Sequence, residues 1–220
     1  MIGLQPPGGW QGLREVLCLG AHCDDIEIGC GGFLAELAAV APSTRIVWVV
    51  FSADDEREAE TRRAAELLLE GVRSTEVVVK RFRNAYFPWE GPVLKEFVQS
   101  LAQRHAPDLV LTHALADRHQ DHRTIAELTW NAFRDHLILE YEIPKYEGDL
   151  GHPNVFVPIA AAARRRKLDT LAQCFPSQTG RDWFSESTFD ALLRIRGIEC
   201  ASPSGYAEAF HARKTSLSLS

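Results

Sequence analysis

Two short stretches of the chain concentrate the residue types that bind metals and move protons. One is Ala21-His22-Cys23-Asp24-Asp25-Ile26-Glu27-Ile28-Gly29-Cys30-Gly31-Gly32; the other is His113-Ala114-Leu115-Ala116-Asp117-Arg118-His119-Gln120-Asp121-His122-Arg123. A catalytic zinc ion asks for three nitrogen or oxygen ligands from the protein and a fourth position for water. His22, Asp25 and His122 can supply a His₂Asp set, which leaves Asp24 as a second carboxylate able to act as general base on the bound water. Zinc lowers the pKa of its water to about 7 and polarises a carbonyl, chemistry that suits cleavage of an amide at neutral pH. His119 lies close enough to His122 along the chain for both imidazoles to face one crevice. As an imidazolium it would stabilise an oxyanion and then protonate a departing amine, with Asp121 as its orienting partner.

Each part has a plainer reading. A lone His22 is a hydrogen-bonded loop histidine, Asp24 and Asp25 are a helix N-cap and a first-turn carboxylate, and His119 is a surface imidazole. His113, Asp117 and Arg118 read equally well as solvent-facing loop polarity or as support behind the ligands. What favours the metal site is that the two clusters occupy matching places in the fold pattern.

That pattern is an alternation of short apolar runs and longer amphipathic ones. Val16–Gly20, Arg45–Phe51, Thr75–Val79, Asp108–Thr112 and Leu137–Tyr141 read as strands. Helices are expected over Gly32–Ala39, Glu56–Leu69, Val93–His105 and Thr124–Phe133, with Pro42, Gly71 and Pro107 as their stops. The rhythm predicts an α/β fold: a Rossmann-like, doubly wound, mainly parallel sheet with helices on both faces. The C-terminal third is less regular, with a strand over Asn154–Ile159 and helices over Ala161–Gln173 and Ser187–Ile195.

Both clusters then fall at the carboxyl ends of strands, the first after the first strand and the second after the fourth. Open α/β sheets bind ligands there, at the point where strand order reverses. If the order is 3-2-1-4-5, the two clusters face each other across that crevice. A dinucleotide loop is the competing use of the same crevice. Its G-x-G-x-x-G run should directly follow the first strand, where this chain has Gly20-Ala21-His22-Cys23-Asp24-Asp25, and two carboxylates there would repel a pyrophosphate. The glycines after them are expected to allow close packing of helix on sheet.

Composition sets further bounds. The chain has 220 residues, with 24 Lys plus Arg against 30 Asp plus Glu for a net charge of −6, which argues against a nucleic-acid binder. Arg164-Arg165-Arg166-Lys167 is its one basic cluster and reads as a solvated helix face. The opening Met1–Gly9 has no basic region followed by an apolar stretch, and the densest apolar run, Ile46–Phe51, is far too short to cross a bilayer. No membrane insertion and a cytoplasmic location are expected. Five cysteines without a C-x-x-C pair argue against a disulfide framework and are expected to be small buried hydrophobes. Trp89, Trp130 and Trp183 are expected in the core or in a lid.

The first cluster resembles the A-H-P-D-D-x-E-x-G-C-G-G motif of the PIG-L / LmbE-like zinc-dependent de-N-acetylases, and His119-Gln120-Asp121-His122 resembles that family's H-x-D-H element. Softer similarities run through Arg57-Glu58-Ala59-Glu60, Pro153-Asn154-Val155-Phe156-Val157, Lys167 with Ser177-Gln178, and Tyr206-Ala207-Glu208-Ala209-Phe210. The resemblance covers nearly the whole chain and implies one deacetylase domain over 1–220, with a core over 14–145 and a C-terminal extension over 146–220. It implies zinc, or another divalent transition metal, on His22, Asp25 and His122, with Asp24 as base and His119 as electrostatic and acid partner. It also makes Arg57 a substrate contact, although helix-surface pairing with Glu58 or Glu60 is the plainer reading of that residue.

Two positions depart from the family pattern. Cys23 replaces the usual proline and sets a thiol beside the metal. Asn84-Ala85 stands where many relatives carry Asp-Gly after the third strand, so the substrate contact at Asn84 is not acidic. The expected substrate is a small N-acetylated sugar or sugar conjugate. The rival readings are a nucleotide-binding oxidoreductase or transferase and a non-catalytic metal- or sugar-binding relative, and the sequence leaves a homo-oligomer open.

Overall fold

The computed structural model describes residues 3, 5–6 and 8–216; Met1, Ile2, Leu4 and Pro7 of the opening stretch lie outside them. In chain order the elements are β1 (Glu15–Gly20), α1 (Asp25–Val40), β2 (Arg45–Val50), α2 (Asp55–Leu68), β3 (Ser74–Val79), α3 (Gly91–Arg104), β4 (Leu109–His113), α4 (Gln120–Ala132) and β5 (Leu137–Tyr141). They continue with β6 (Val155–Pro158), α5 (Ala161–Cys174), α6 (Glu186–Glu199) and β7 (Ala207–His211). The strands form one sheet in the order β3-β2-β1-β4-β5-β7-β6. The first five pair in parallel, as the βαβ rhythm requires, and β1 lies between β2 and β4.

β1 is buried along its whole length because helices cover both faces of the sheet. Its side chains divide by the period of two. Val16 and Cys18, with Ile46, Trp48 and Val50 of β2, join the apolar cluster under α1, α2 and α5. Leu17 and Leu19, with Val47 and Val49, join the cluster under α3 and α4. All five cysteines are buried and unpaired. Trp89, in contrast, is 70% exposed rather than in the core. No helix among the described residues is long and apolar enough to cross a membrane.

Three elements differ from the sequence expectation, and each bears on the crevice. β7 was not expected as a strand; it inserts between β5 and β6, antiparallel to both, and closes the sheet with an antiparallel edge. α4 begins at Gln120 rather than Thr124, so Asp121 and His122 lie in its first turn with His119 as N-cap.

α1 begins at Asp25 rather than Gly32 and bends at Cys30, which leaves helical φ/ψ. The bend is mended from the far end of the chain. Glu208 of β7 accepts the backbone N–H groups of Gly32 (2.8 Å) and Phe33 (2.6 Å), and Lys167 of α5 donates to Ile28 O (2.6 Å) and pairs with Glu208 (2.6 Å). Glycine propensity alone ends the helix here, but tertiary hydrogen bonds carry it through. Gly29 has a separate steric reason: a Cβ there would overlap the Tyr141 ring.

Candidate active site

The carboxyl edge of β1 delivers His22, Asp24 and Asp25, and the neighbouring edge of β4 leads into His119, Asp121 and His122. Loop 21–24 is tied down locally, because the His22 backbone N–H donates to Asp25 Oδ2 at 2.7 Å. α4 starts beside it because the His119 ring accepts the Asp121 N–H (3.3 Å), an N-cap that frees the following residues to face the crevice.

His22 Nδ1 lies 3.2 Å from His122 Nε2. The Asp25 carboxylate approaches both, with Oδ2 at 3.5 Å from His22 Nδ1 and Oδ1 at 3.4 Å from His122 Nε2. Ligands on a tetrahedral ion with bonds of about 2.05 Å stand about 3.3 Å apart. The three donors therefore already sit at the separations such an ion imposes.

The far nitrogens of the two rings are also spoken for. His122 Nδ1 faces Asp117 Oδ2 at 3.0 Å, and His22 Nε2 faces Asp121 Oδ2 at 3.2 Å. Each ring donates to its carboxylate, so the two remaining lone pairs point at one another and at Asp25. This carboxylate–histidine arrangement is the one that metal-ligating histidines use to fix tautomer and direction. His113 and His119 also bring ring nitrogens close to the group. The His113 Nε2 lone pair is already taken by the Ala21 N–H at 2.9 Å, so it is the weaker donor.

The electrostatics fit the same conclusion. Burial lowers the pKa of His22, but hydrogen bonds to Asp121 and Asp25 outweigh it and raise the value to about 10. Burial, followed by His113, pushes His122 down to about 3. The facing nitrogens of His22 and His122 leave a place that a divalent cation would take. Burial opposes the ionisation of Asp25, but His122 and His113 hold its carboxyl well below the usual range. Burial works against Asp117 too, and its contact with His122 lowers it nonetheless. Among the described residues, Asp24, Asp25, Asp117 and Asp121 are paired with only two permanent cations, Arg57 and Lys145. A buried excess of negative charge of this kind needs a cation to balance it. The residues present fit a divalent metal.

Asp24 is buried beside the donors, and burial raises its pKa against the lowering effect of Arg57. Arg57 Nη2 lies 3.2 Å from Asp24 Oδ1, while Nη1 donates to Ser177 Oγ at 2.9 Å. The arginine therefore faces into the site as well as pairing along its own helix with Glu60 (3.6 Å).

His119 has its pKa lowered by burial and then by His22. Both effects favour the neutral ring, in which Nδ1 accepts the Asp121 N–H and Nε2 is left to carry the proton. The expected partnership with Asp121 takes a different form. The Asp121 carboxylate accepts the backbone N–H groups of Ala85 (2.6 Å) and Phe87 (3.1 Å) and faces His22, not His119. Burial opposes Asp121 ionisation, and these contacts with His22 and the loop lower its pKa overall. Burial drives the Cys23 thiol up to about 12, and its Sγ donates to Ser52 O at 3.4 Å, so it is a protonated filler rather than a thiolate ligand.

The crevice opens into a cavity of about 730 Å³ bordered by His22, Asp24, Asp25, Arg57, His119 and His122. Asn84 lies on its wall, as do Lys145, Tyr146 and Trp183 from the C-terminal part of the chain. Lys145 was not anticipated; it pairs with Asp117 at 3.0 Å and Asp149 at 2.7 Å. Spacing along the chain offers it Asp149 alone; its link to the site is Asp117, which lies on another loop. Asp117 was visible as a carboxylate five positions before His122, but only the fold separates support from loop polarity.

The family model described as PIG-L: GlcNAc-PI de-N-acetylase matches residues 17–133, just over half of the chain and the part that carries both clusters. A protein of Escherichia coli (strain K12), described as the uncharacterized deacetylase YaiS, is 30% identical over 142 residues, spanning 60% of this chain and 75% of that one. Among solved structures, GalB, the 4-carboxy-2-hydroxymuconate hydratase of Pseudomonas putida KT2440, is similar with a TM-score of 0.77 and 18% identity, covering 94% of this chain and 99% of that chain. The N,N'-diacetylchitobiose deacetylase from Pyrococcus horikoshii is similar with a TM-score of 0.69 and 20% identity, covering 92% and 84%. At such identities the structural likeness establishes the fold, and a hydratase beside a deacetylase means that the fold alone does not name a reaction.

Proposed function

Because the chain belongs to the PIG-L family of de-N-acetylases, we propose that it is a zinc-dependent hydrolase that removes the acetyl group from an N-acetylated amino sugar or its conjugate. The observation that carries the reading is the convergence of His22, His122 and Asp25, with each imidazole backed by its own carboxylate. These three residues would hold the ion, which when bound supplies Lewis acidity toward the amide carbonyl and toward water.

The chain's own groups do the rest. Asp24, with Oδ1 held by Arg57, takes the proton of the attacking water at its other oxygen. Burial, which favours the protonated carboxyl, lets it keep that proton until the amine leaves. His119 donates from Nε2, first as a hydrogen bond to the oxygen that gains charge and then toward the leaving nitrogen. Its neutral form supplies a donor without placing another cation next to the metal. Arg57 anchors Asp24 and borders the cavity, so it is placed to contact substrate as well, and Asn84 offers a neutral amide on the cavity wall. Bond for bond, water and an acetamide become acetate and a free amine.

The test is acetate release from a panel of N-acetylhexosamine derivatives, with metal-stripped protein and protein reloaded with zinc. Stripped protein is expected to be inactive and one equivalent of zinc to restore turnover. Undiminished hydrolysis after complete stripping would overturn the metal reading. Failure of the zinc-loaded protein to cleave any acetamide would overturn the reaction.

A further inference from the structure

We propose that His113 is a positioning residue that keeps the three metal-binding side chains in register. The proposal rests on the reading that His22, Asp25 and His122 hold the ion. His113 is the last residue of β4 and is fully buried. Its Nε2 accepts the backbone N–H of Ala21 at 2.9 Å, one residue before His22, and lies 3.2 Å from Asp25 Oδ2. Its ring stacks on His122 with centroids 4.0 Å apart and planes inclined by 21°. One imidazole that is not itself a ligand thus touches all three ligand-bearing segments.

The backbone shows what this contact does. Consecutive N–H groups of the β1–α1 loop go to different elements: Ala21 donates to His113 at the end of β4, and His22 donates to Asp25 at the start of α1. The loop is stapled on both sides, so the His22 ring inherits its position from β4 and α1 together. His113 in turn is held in place from behind. Tyr141 lies 4.9 Å from it, ring to ring, and donates its hydroxyl to Leu19 O at 2.6 Å. Gly29 leaves the space that the Tyr141 ring occupies.

A second observation separates positioning from mere packing. His113 Nδ1 is buried without a hydrogen-bond partner among the described residues. A phenyl ring would fill the slot, keep the stack on His122 and remove that unpartnered nitrogen. For stability alone, His113→Phe is therefore a mild change, because the orphaned Ala21 N–H is offset by the loss of the unpartnered Nδ1. For the ligands it is not mild, because the staple on the Ala21 backbone, one residue before His22, is gone. His113→Gln places an amide oxygen where Nε2 stood and restores the acceptor.

The experiment is calorimetric titration of metal-stripped protein with Zn²⁺ for wild type, His113→Phe and His113→Gln, with urea unfolding of each stripped protein alongside. In His113→Phe the Zn²⁺ dissociation constant is expected to rise about 10–100-fold, the range for removing an outer contact of a metal site. Its unfolding midpoint should lie no lower than that of His113→Gln, and His113→Gln should recover most of the affinity. With substrate, kcat should fall and KM hold. Wild-type affinity in His113→Phe would overturn the proposal, as would losses of affinity that follow lost stability in both variants. If wild type itself binds no Zn²⁺, the metal reading falls first, and the wild-type arm shows this before any variant is compared.

Discussion

The two ends of the same parallel sheet handle charge in opposite ways. At the amino edge, Arg14 is bonded to Asp108 at 2.8 Å, and Arg45 bridges Glu15 at 3.1 Å and Glu76 at 2.5 Å. The arginines reach into solvent, so these pairs lie in a high dielectric, where an ion pair contributes little and its loss is tolerated. At the carboxyl edge the acidic groups are nearly dry. Asp121 has no exposed surface, and Asp24, Asp25 and Asp117 have almost none. There the lone pairs of two histidines face a carboxylate, and the compensation within the protein is incomplete. Similar residue types, set equally close to strand ends, stabilise the fold at one edge and create a demand for a cation at the other. What separates them is water.

The contrast is sharpest for Asp24. Asp24→Asn removes the proposed base and keeps the shape, so kcat for acetate release should fall about a hundred- to ten-thousand-fold, while zinc content by mass spectrometry stays at one equivalent. Near-parental turnover would move the base elsewhere. Next comes Asp117→Asn, which removes the charge behind His122 and leaves Lys145 partly unpaired. Zinc affinity should weaken about 10–100-fold, with little change in KM. Unchanged affinity would make Asp117 loop polarity after all.

At the other edge, Glu76→Gln should cost about 0.2–1 kcal/mol in urea unfolding and leave turnover untouched. A larger loss would mean that the amino edge is as critical as the site.

The smallest effect concerns acid. Burial opposes the ionisation of Asp108, but hydrogen bonds from Arg14 hold its carboxyl below the ordinary value. A depressed folded pKa contributes stability above the unfolded value of about 4 and loses it as pH falls through the folded one. The gap in unfolding midpoint between wild type and Asp108→Asn should therefore be present at pH 7 and close toward pH 2. A gap that widened in acid would reverse the sign.

Local sequence carried much of this molecule. The five parallel strands, their order around β1 and the meeting of His22, Asp25 and His122 follow from apolar runs that end in polar clusters, because a doubly covered parallel sheet admits few arrangements. The family motif gave each carboxylate an expected role. It did not reveal that Asp121 faces His22, since that depends on Ala85 and Phe87, whose N–H groups come from a different loop. Nor did it reveal β7, whose Ala207-Glu208-Ala209-Phe210-His211 is short and becomes a strand by pairing on both sides.

Residue order by itself determined the chemistry on offer: which donors exist, how they alternate with strands, and that two clusters stand at matching strand ends. Tertiary structure decided how those donors are aimed. Lys145 reaching Asp117, Glu208 mending the bend in α1 and His113 stapling the Ala21 backbone join segments remote along the chain. The physical reason is range. Periodicity and propensity act over a few residues, whereas the direction of a lone pair is set by whichever group is packed behind it, and that neighbour exists only after the sheet has closed.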